Sequence, residues 1–497
     1  MKTLATHLPA LQVVVPLVGA LLSALLRRGT AAWFFALIVS WLMPLISVAL
    51  IWQVQTSGPI SYQLGGWAPP WGIEYRVDLL NAFVLVLVSV VGAAIMPFAR
   101  RSIAKEIDGD KQAWFYTMYL LCLTGLLGIT ITGDAFNVFV FLEISSLSTY
   151  VLIALGRDRR ALLAAYQYLI LGTIGATFYI IGVGFLYLVT GSLNIVDIAQ
   201  RLGTAAVETP RPVMAALAFM AVGVSLKLAL FPLHVWLPGA YAHAPSVATA
   251  FLAGTATKVA IYVLIRFFFS VFGVAMSFDA LPVSEVMLAL SLAAMFIASL
   301  VAVFEANTKR MLAYSSLAQI GYITLGMSLA NTSGLTGGIV HLFNHALMKT
   351  TLFLSLGAIA YRIGSVKLAD LAGIGRQMPL TMAAFAIGGL AIIGVPGTAG
   401  FVSKWYLAVG AVEKGWWPLV FLILASSLIA VVYIGRVVET AWFREPSMLA
   451  AKATDPPLSM LIPLLLLAAA TIYFGIDTEA SAGIARKIAS GLVGGLK

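Results

Sequence analysis

Residues 135–155 read AFNVFVFLEISSLSTYVLIAL. One side chain in this run is charged, Glu143, and neither proline nor glycine interrupts it. A helix crosses the hydrocarbon of a bilayer with about 20 mostly apolar residues, so the run is long enough to span. Glu143 is the ninth residue, roughly 13 Å deep at 1.5 Å per residue, close to the midplane. A charge at that depth costs about 2.5–3.5 kcal/mol on insertion scales, and such residues persist when they pair or when they work. The run therefore predicts a membrane-spanning helix and marks a candidate functional residue inside it.

The rest of the chain has the same character. Of its 497 residues, 61% are hydrophobic and 10% charged, and the mean hydropathy is +0.99. A soluble domain carries roughly 25% charged residues. Fourteen spans are predicted, at 8–26, 31–52, 79–99, 113–132, 135–155, 161–189, 213–233, 246–269, 284–303, 312–330, 336–360, 379–411, 417–435 and 458–475. Many are rich in Gly and Ala, which lets helices approach closely in lipid. The opening Met1–Leu26 lacks a small-residue cleavage site and reads as a retained first helix. Cys122 is the one cysteine, so neither a disulfide framework nor a cysteine metal site is expected. The net charge of +10 does not point to nucleic acid, because the basic residues are scattered through short loops.

Those basic residues set the orientation. Loops following the odd-numbered spans hold 17 of the 30 Lys and Arg, from Arg27 and Arg28 to Lys452. The side of the termini holds nine, Lys2 and Lys497 among them, and four lysines fall inside spans. The positive-inside rule places both termini outside the cytoplasm, in a bacterial-type inner membrane. Arg157, Asp158, Arg159 and Arg160 read as a solvated anchor on the cytoplasmic side.

Two spans look broken. The seventh reads VGVSLKLALFPLHVWLP (222–238), with Pro232 near its end. The twelfth reads IIGVPGTAGFVSKW (392–405), with Pro396 between two glycines. Proline removes a backbone donor, and a break in lipid survives only where protein or water meets the freed groups. Discontinuous helices of this kind line ion paths in transporters, although proline also makes simple packing kinks.

Four lysines lie within spans: Lys227 before the first break, Lys258 in the eighth span, Lys349 in the eleventh and Lys404 after the second break. Burial disfavours the charged form of a lysine, so such a group can take and release a proton. Glu143 supplies one carboxylate for four lysines, and a static fastener of helices is the bland alternative. The eleventh span carries HLFNHALMKTTLFL, in which His341, His345 and Lys349 recur at i, i+4 and i+8 on one face. Histidine suits a proton relay. The spacing also suits a metal, but further ligands are missing and Lys349 would repel a cation. His234 and His243 fall in what reads as a solvated loop after the seventh span, and Asp134 reads as a helix cap. There is no P-loop, no nicotinamide fingerprint and no iron–sulfur cysteine set, so no cofactor is expected.

Six segments resemble one family: TGDAFNVFVFLEISSLSTYVLI (132–153), SLKLALFPLHVWLP (225–238), AHAPSVATAFLAGTATKVAIYVLIR (242–266), NTKRMLAYSSLAQIGYI (307–323), HLFNHALMKTTLFL (341–354) and IGVPGTAGFVSKW (393–405). They are similar to the antiporter-like membrane subunits of respiratory complex I, membrane-bound hydrogenases and Mrp-type multisubunit Na+/H+ antiporters. The resemblance implies an all-α polytopic fold of fourteen helices with two inverted five-helix repeats, 113–269 and 284–435. It implies that Glu143, Lys227, Lys258, His341, His345, Lys349 and Lys404 form a proton-carrying axis. Lys404 stands where one complex I paralogue has Glu, and the chain resembles the D-type Mrp subunit most. Gly239 and Tyr241 stand where many relatives have Asp and His.

The function implied is a proton-translocating subunit of a multisubunit monovalent cation/proton antiporter, a secondary transporter rather than an enzyme. Its expected partners are other membrane subunits, protons, Na+ or K+, and the lipid bilayer. The alternative is a proton-pumping subunit of a complex I-like or hydrogenase redox complex. A scaffold that has lost transport is a third reading, and the intact series of buried charges counts against it.

Overall fold

The computed structural model describes residues 5–26 and 28–494. Lys2, Arg27 and Lys497, counted in the charge balance, lie outside the described residues. Helices α1 (Leu8–Leu25) and α2 (Gly29–Ser57) lead into a hairpin of β1 (Ile60–Gln63) and β2 (Glu74–Val77). The strands are antiparallel, with Ile60 opposite Val77 and Gln63 opposite Glu74. Then follow α3 (Leu79–Glu106), α4 (Gln112–Ile131), α5 (Ala135–Ala154) and α6 (Arg159–Thr190). After a short amphipathic helix, α7 (Ile195–Glu208), come α8 (Pro210–Leu228), α9 (Trp236–His243), α10 (Ser246–Gly254) and α11 (Ala256–Ile265). Next are α12 (Val283–Ala293), α13 (Ser299–Phe304), α14 (Thr308–Ser328) and α15 (Thr332–Ile363). The chain closes with α16 (Pro379–Ile393), α17 (Ala399–Glu413), α18 (Pro418–Phe443), α19 (Leu458–Ile476) and α20 (Ile484–Val493).

Twelve helical segments among the described residues are long and apolar enough to cross a membrane. The polar α14 and the interrupted pair α16–α17 complete the fourteen crossings expected. Helix α15 is the centre of the molecule. It has 32 residues and is buried almost continuously from Gly334 to Ile359. Helices α10, α14, α16, α17 and α19 pack around it. The outer helices expose large apolar side chains, such as Leu45 on α2, Leu163 on α6, Leu428 on α18 and Leu466 on α19. That is the surface a protein presents to lipid.

Local chemistry fixes the helix starts. Asp134 accepts the Asn137 N–H at 2.7 Å and so caps α5, the role its position implied. Asp78 caps α3 in a reciprocal box with Asn81. Its two oxygens also take Arg266 at 2.6 and 2.8 Å, which ties the start of α3 to the end of α11.

Two boundaries differ from the sequence reading. Helix α3 continues to Glu106, so Arg100, Arg101 and Lys105 are helical rather than in a loop. The stretch after Pro232 is not a solvated loop. Residues 236–243 form α9, with Trp236, Leu237 and Tyr241 buried, and this is the second half of the seventh span.

Candidate functional site

The first break places Lys227. Helix α8 ends after Leu228 because Ala229 adopts a left-handed conformation, φ 61° and ψ 42°. The freed Leu226 carbonyl is met by Trp236 Nε1 at 2.9 Å, so protein satisfies the break. Lys227, one residue before the end of α8, donates to Ser146 Oγ at 2.6 Å and lies 3.6 Å from Glu143 Oε1. The pair is lopsided: the lysine side chain is 5% exposed and the glutamate 26%. Glu143 belongs to a stripe of α5 with Phe136, Val140, Leu147 and Val151, all exposed.

A cavity of about 20 Å³ adjoins Lys227, lined by Ser145, Ser146, Thr149 and Tyr168 and by Ala256, Val259 and Ala260 of α11. It has room for about one water, and its hydroxyls and ammonium are suitable partners. It lies between Lys227 and the helix that carries Lys258. Lys258 is fully buried. The helix is interrupted at Thr255, φ −127° and ψ −58°, and Lys258 Nζ donates to the freed Ala253 carbonyl and reaches Thr257 Oγ1 at 3.4 Å. Nothing in the sequence marks this third break. Gly254 packs so tightly on α15 that a Cβ there would stand 2.4 Å from Thr350 Oγ1, one residue from Lys349.

The second half of the site lies on α15 and the second break. His341, His345 and Lys349 share one face, as their spacing requires, and all three are fully buried. Lys349 Nζ donates to the Leu312 carbonyl at 2.9 Å. His345 stacks parallel on His341, with ring centroids 5.9 Å apart, and among the described residues its nitrogens have no protein partner. His341 Nδ1 is 2.7 Å from Ser403 Oγ, and Nε2 is 3.0 Å from Gln319 Oε1. Ser403 Oγ also reaches the Gly400 carbonyl at 3.0 Å.

That geometry accommodates both protonation states of His341. The neutral ring donates from Nε2 to Gln319 and accepts from Ser403 at Nδ1. The charged ring donates from both nitrogens, and the Ser403 proton swings to Gly400. A hydroxyl rotor is what allows the exchange.

Lys404 is held by the second break. Gly394, at φ 91°, ends α16 and turns the Ile392 and Ile393 carbonyls inward. Lys404 Nζ donates to them at 3.0 and 2.8 Å and to Ser427 Oγ at 2.7 Å. It also lies 4.6 Å from the centre of the Tyr322 ring, whose own centroid is 5.6 Å from that of His341. Lys349, His345, His341, Tyr322 and Lys404 thus form a series in which each group neighbours the next. Among the described residues, Glu143 is the one carboxylate that ion-pairs with any of these lysines. Ser146, Gln319, Ser403 and Ser427 are partners that the sequence reading did not identify.

The outlying residues take other places. His234 is half-buried and stacks on Phe231 at 5.2 Å. His243 ends α9 and lies 2.9 Å from Asp158. Arg157 pairs with Asp108 at 3.0 Å. The Arg157 hydrogen bond, and then Lys111, hold the Asp108 carboxyl below its usual value.

Residues 132–430 match the family model described as NADH:quinone oxidoreductase/Mrp antiporter, TM. The NADH-quinone oxidoreductase subunit N of Desulforudis audaxviator is 39% identical over 491 residues, 96% of this chain and 97% of that protein. The D-type Na+/H+ antiporter subunit of Alkalihalophilus pseudofirmus is 30% identical over 437 residues, covering 88% and 87%. Among solved structures, a chain of an archaeal membrane-bound sulfane sulfur reductase superposes with a TM-score of 0.90 at 31% identity, covering 98% of each chain.

Proposed function

Because the chain belongs to the NADH:quinone oxidoreductase/Mrp antiporter transmembrane family, we propose that it carries protons as one subunit of a multisubunit monovalent cation/proton antiporter. The observation that carries this reading is the hydrogen-bonding of His341, which is complete in either protonation state and stands between Lys349 and Lys404. A residue that only fastens helices gains nothing from a second complete arrangement.

In this reading Glu143 and Lys227 form the gate. At the present 3.6 Å the carboxylate favours the ammonium form of Lys227. Separation leaves an ammonium in a low-dielectric interior, and the proton is driven onward. The small cavity at Ser146 and Thr149 supports a single-water step toward Lys258. From there the proton passes to Lys349, His345 and His341 and leaves by Lys404. Residues 113–269 and 284–435 act as two related halves. A recurring order of elements supports this: a 32-residue helix, α6 or α15, followed by an interrupted one, α8–α9 or α16–α17. The face rich in basic residues is cytoplasmic, and both termini lie outside.

The test is proton movement in everted vesicles carrying the complete complex, followed by a pH-sensitive dye on addition of Na+ or K+. Glu143→Gln and Lys227→Ala should abolish exchange while the complex still assembles. Normal exchange by either well-assembled variant would leave the pair as a fastener. A second reading, a proton pump in a redox complex, is favoured by the 39% identity to a quinone oxidoreductase subunit. Exchange driven by Na+ or K+ with no electron donor present supports antiport. Proton movement only on adding a donor supports the pump.

A further inference from the structure

Charged side chains from three separate elements converge on one corner of the chain. Residues 243–246, His-Ala-Pro-Ser, turn α9 into α10. His243 Nδ1 lies 2.9 Å from Asp158 Oδ2, in the turn between α5 and α6. Glu106, the last residue of α3, accepts the Ser246 N–H at 2.7 Å with one oxygen and Ser102 Oγ at 2.6 Å with the other. Lys309, near the start of α14, donates to the Ala244 carbonyl at 3.3 Å. None of these side chains belongs to the axis. Yet Ser246 begins the helix pair that carries Lys258 twelve residues later, about 18 Å deeper at 1.5 Å per residue.

We propose that this corner is a clamp operated by pH on the basic face. With His243 protonated, its pair with Asp158 holds α9 and α10 in place. Loss of that proton leaves at most a neutral hydrogen bond, loosens the two helices and admits water toward Lys258. The transport consequence rests on the reading above; the clamp itself does not.

Among these groups, an imidazole is the one whose ordinary titration lies between about pH 5 and 8. Burial pushes the Asp158 carboxyl up, but the Arg160 N–H and His243 outweigh this and keep it below its usual value. Asp158 therefore stays charged where histidine titrates. On the same turn Arg157 is engaged by Asp108, while Arg159 and Arg160 are exposed. Glu106 and Lys309 face the corner from α3 and α14, and α10 carries no titratable side chain. Tyr241, on α9 itself, is turned inward against Phe353. The sign follows: the ion pair is present below the imidazole pKa and is lost as pH rises through it. For an exchanger that brings protons into the basic compartment, release at high pH is the useful sense.

Hydrogen exchange of the amides of 241–250, in the full chain within its native complex and corrected for intrinsic rates, reads the clamp directly. Protection should fall as pH rises through the histidine range. His243→Arg should keep its protection at alkaline pH. His243→Gln should exchange roughly two- to fivefold faster at acidic pH, the factor expected for losing a partly exposed ion pair. Asp158→Asn, which still caps α6, should do the same. Ion-driven proton movement should rise at alkaline pH in the wild type, and that rise should shift in His243→Arg and disappear in His243→Gln. Protection that is independent of pH and equal in all variants overturns the clamp. A pH-dependent protection without any proton movement in the wild type supports the clamp and refutes the transport reading.

Discussion

The buried lysines are held in different ways, and this decides what their removal does. Lys227 faces a carboxylate, whereas Lys258, Lys349 and Lys404 rest on carbonyls, two of them at breaks. The histidines differ likewise. His341→Ala strips Ser403 and Gln319 of a partner, and unsatisfied buried groups cost about 1–3 kcal/mol. His345→Gln breaks no bond to the protein. Thermal denaturation of the detergent-solubilised complex should therefore fall clearly for His341→Ala and little for His345→Gln, while both slow proton transfer. Equal stability of the two variants would refute the hydrogen-bond assignment at His341. Glu143 and the lysines were legible in the sequence because a charge in an apolar run stands out. Ser146, Gln319, Ser403 and Ser427 were not. Hydroxyls are common in membrane helices, and each of these acquires meaning only from a helix far away in sequence.

At the scale of elements, the breaks carry the site. The second break was legible from Pro396 and its glycines. The first was placed too near the end of its span, because Trp-Leu-Pro-Gly reads as a loop although its apolar side chains bury as α9. The break at Thr255 has no proline or glycine at its centre and shows only in the backbone. Gly394 gives a direct test. At φ 91° an L-residue is strained, and a Cβ there would stand 2.9 Å from Lys404 Cδ. Gly394→Ala should cost about 1–3 kcal/mol and displace Lys404. Gly184, inside α6 near its last two turns, has open space within 4 Å of where a Cβ would stand, so Gly184→Ala should be neutral or stabilise by up to about 1 kcal/mol. The comparison is made by melting temperature together with exchange activity. An unaffected Gly394→Ala variant would remove the break from the mechanism.

For the whole molecule, hydropathy made the number of crossings legible, and the distribution of basic residues yields a direction that labelling can test. Cys122 is buried, so single introduced cysteines can report orientation. Ser57 and Asp110 are both exposed and lie at opposite ends of the helices. A membrane-impermeant thiol reagent applied to intact cells should label Ser57→Cys and spare Asp110→Cys; the reverse pattern would invert the topology. The family was equally legible, from six motifs spread along the chain. The sequence reading favoured the D-type antiporter subunit, whereas the relatives include both antiporter and oxidoreductase subunits.

Helix α14 is the least apolar of the crossings. It carries Gln319, Tyr322 and several hydroxyls that its neighbours need, and it falls short of the hydropathy of the twelve clear spans. During biosynthesis, a translocon that sorts each emerging segment by its own partitioning would not release α14 to lipid unaided. The ribosome must deliver α15 before α14 finds a setting for its polar face. The polar groups of the proposed proton path thus impose an order on biogenesis, in which the central helix recruits its predecessor into the membrane.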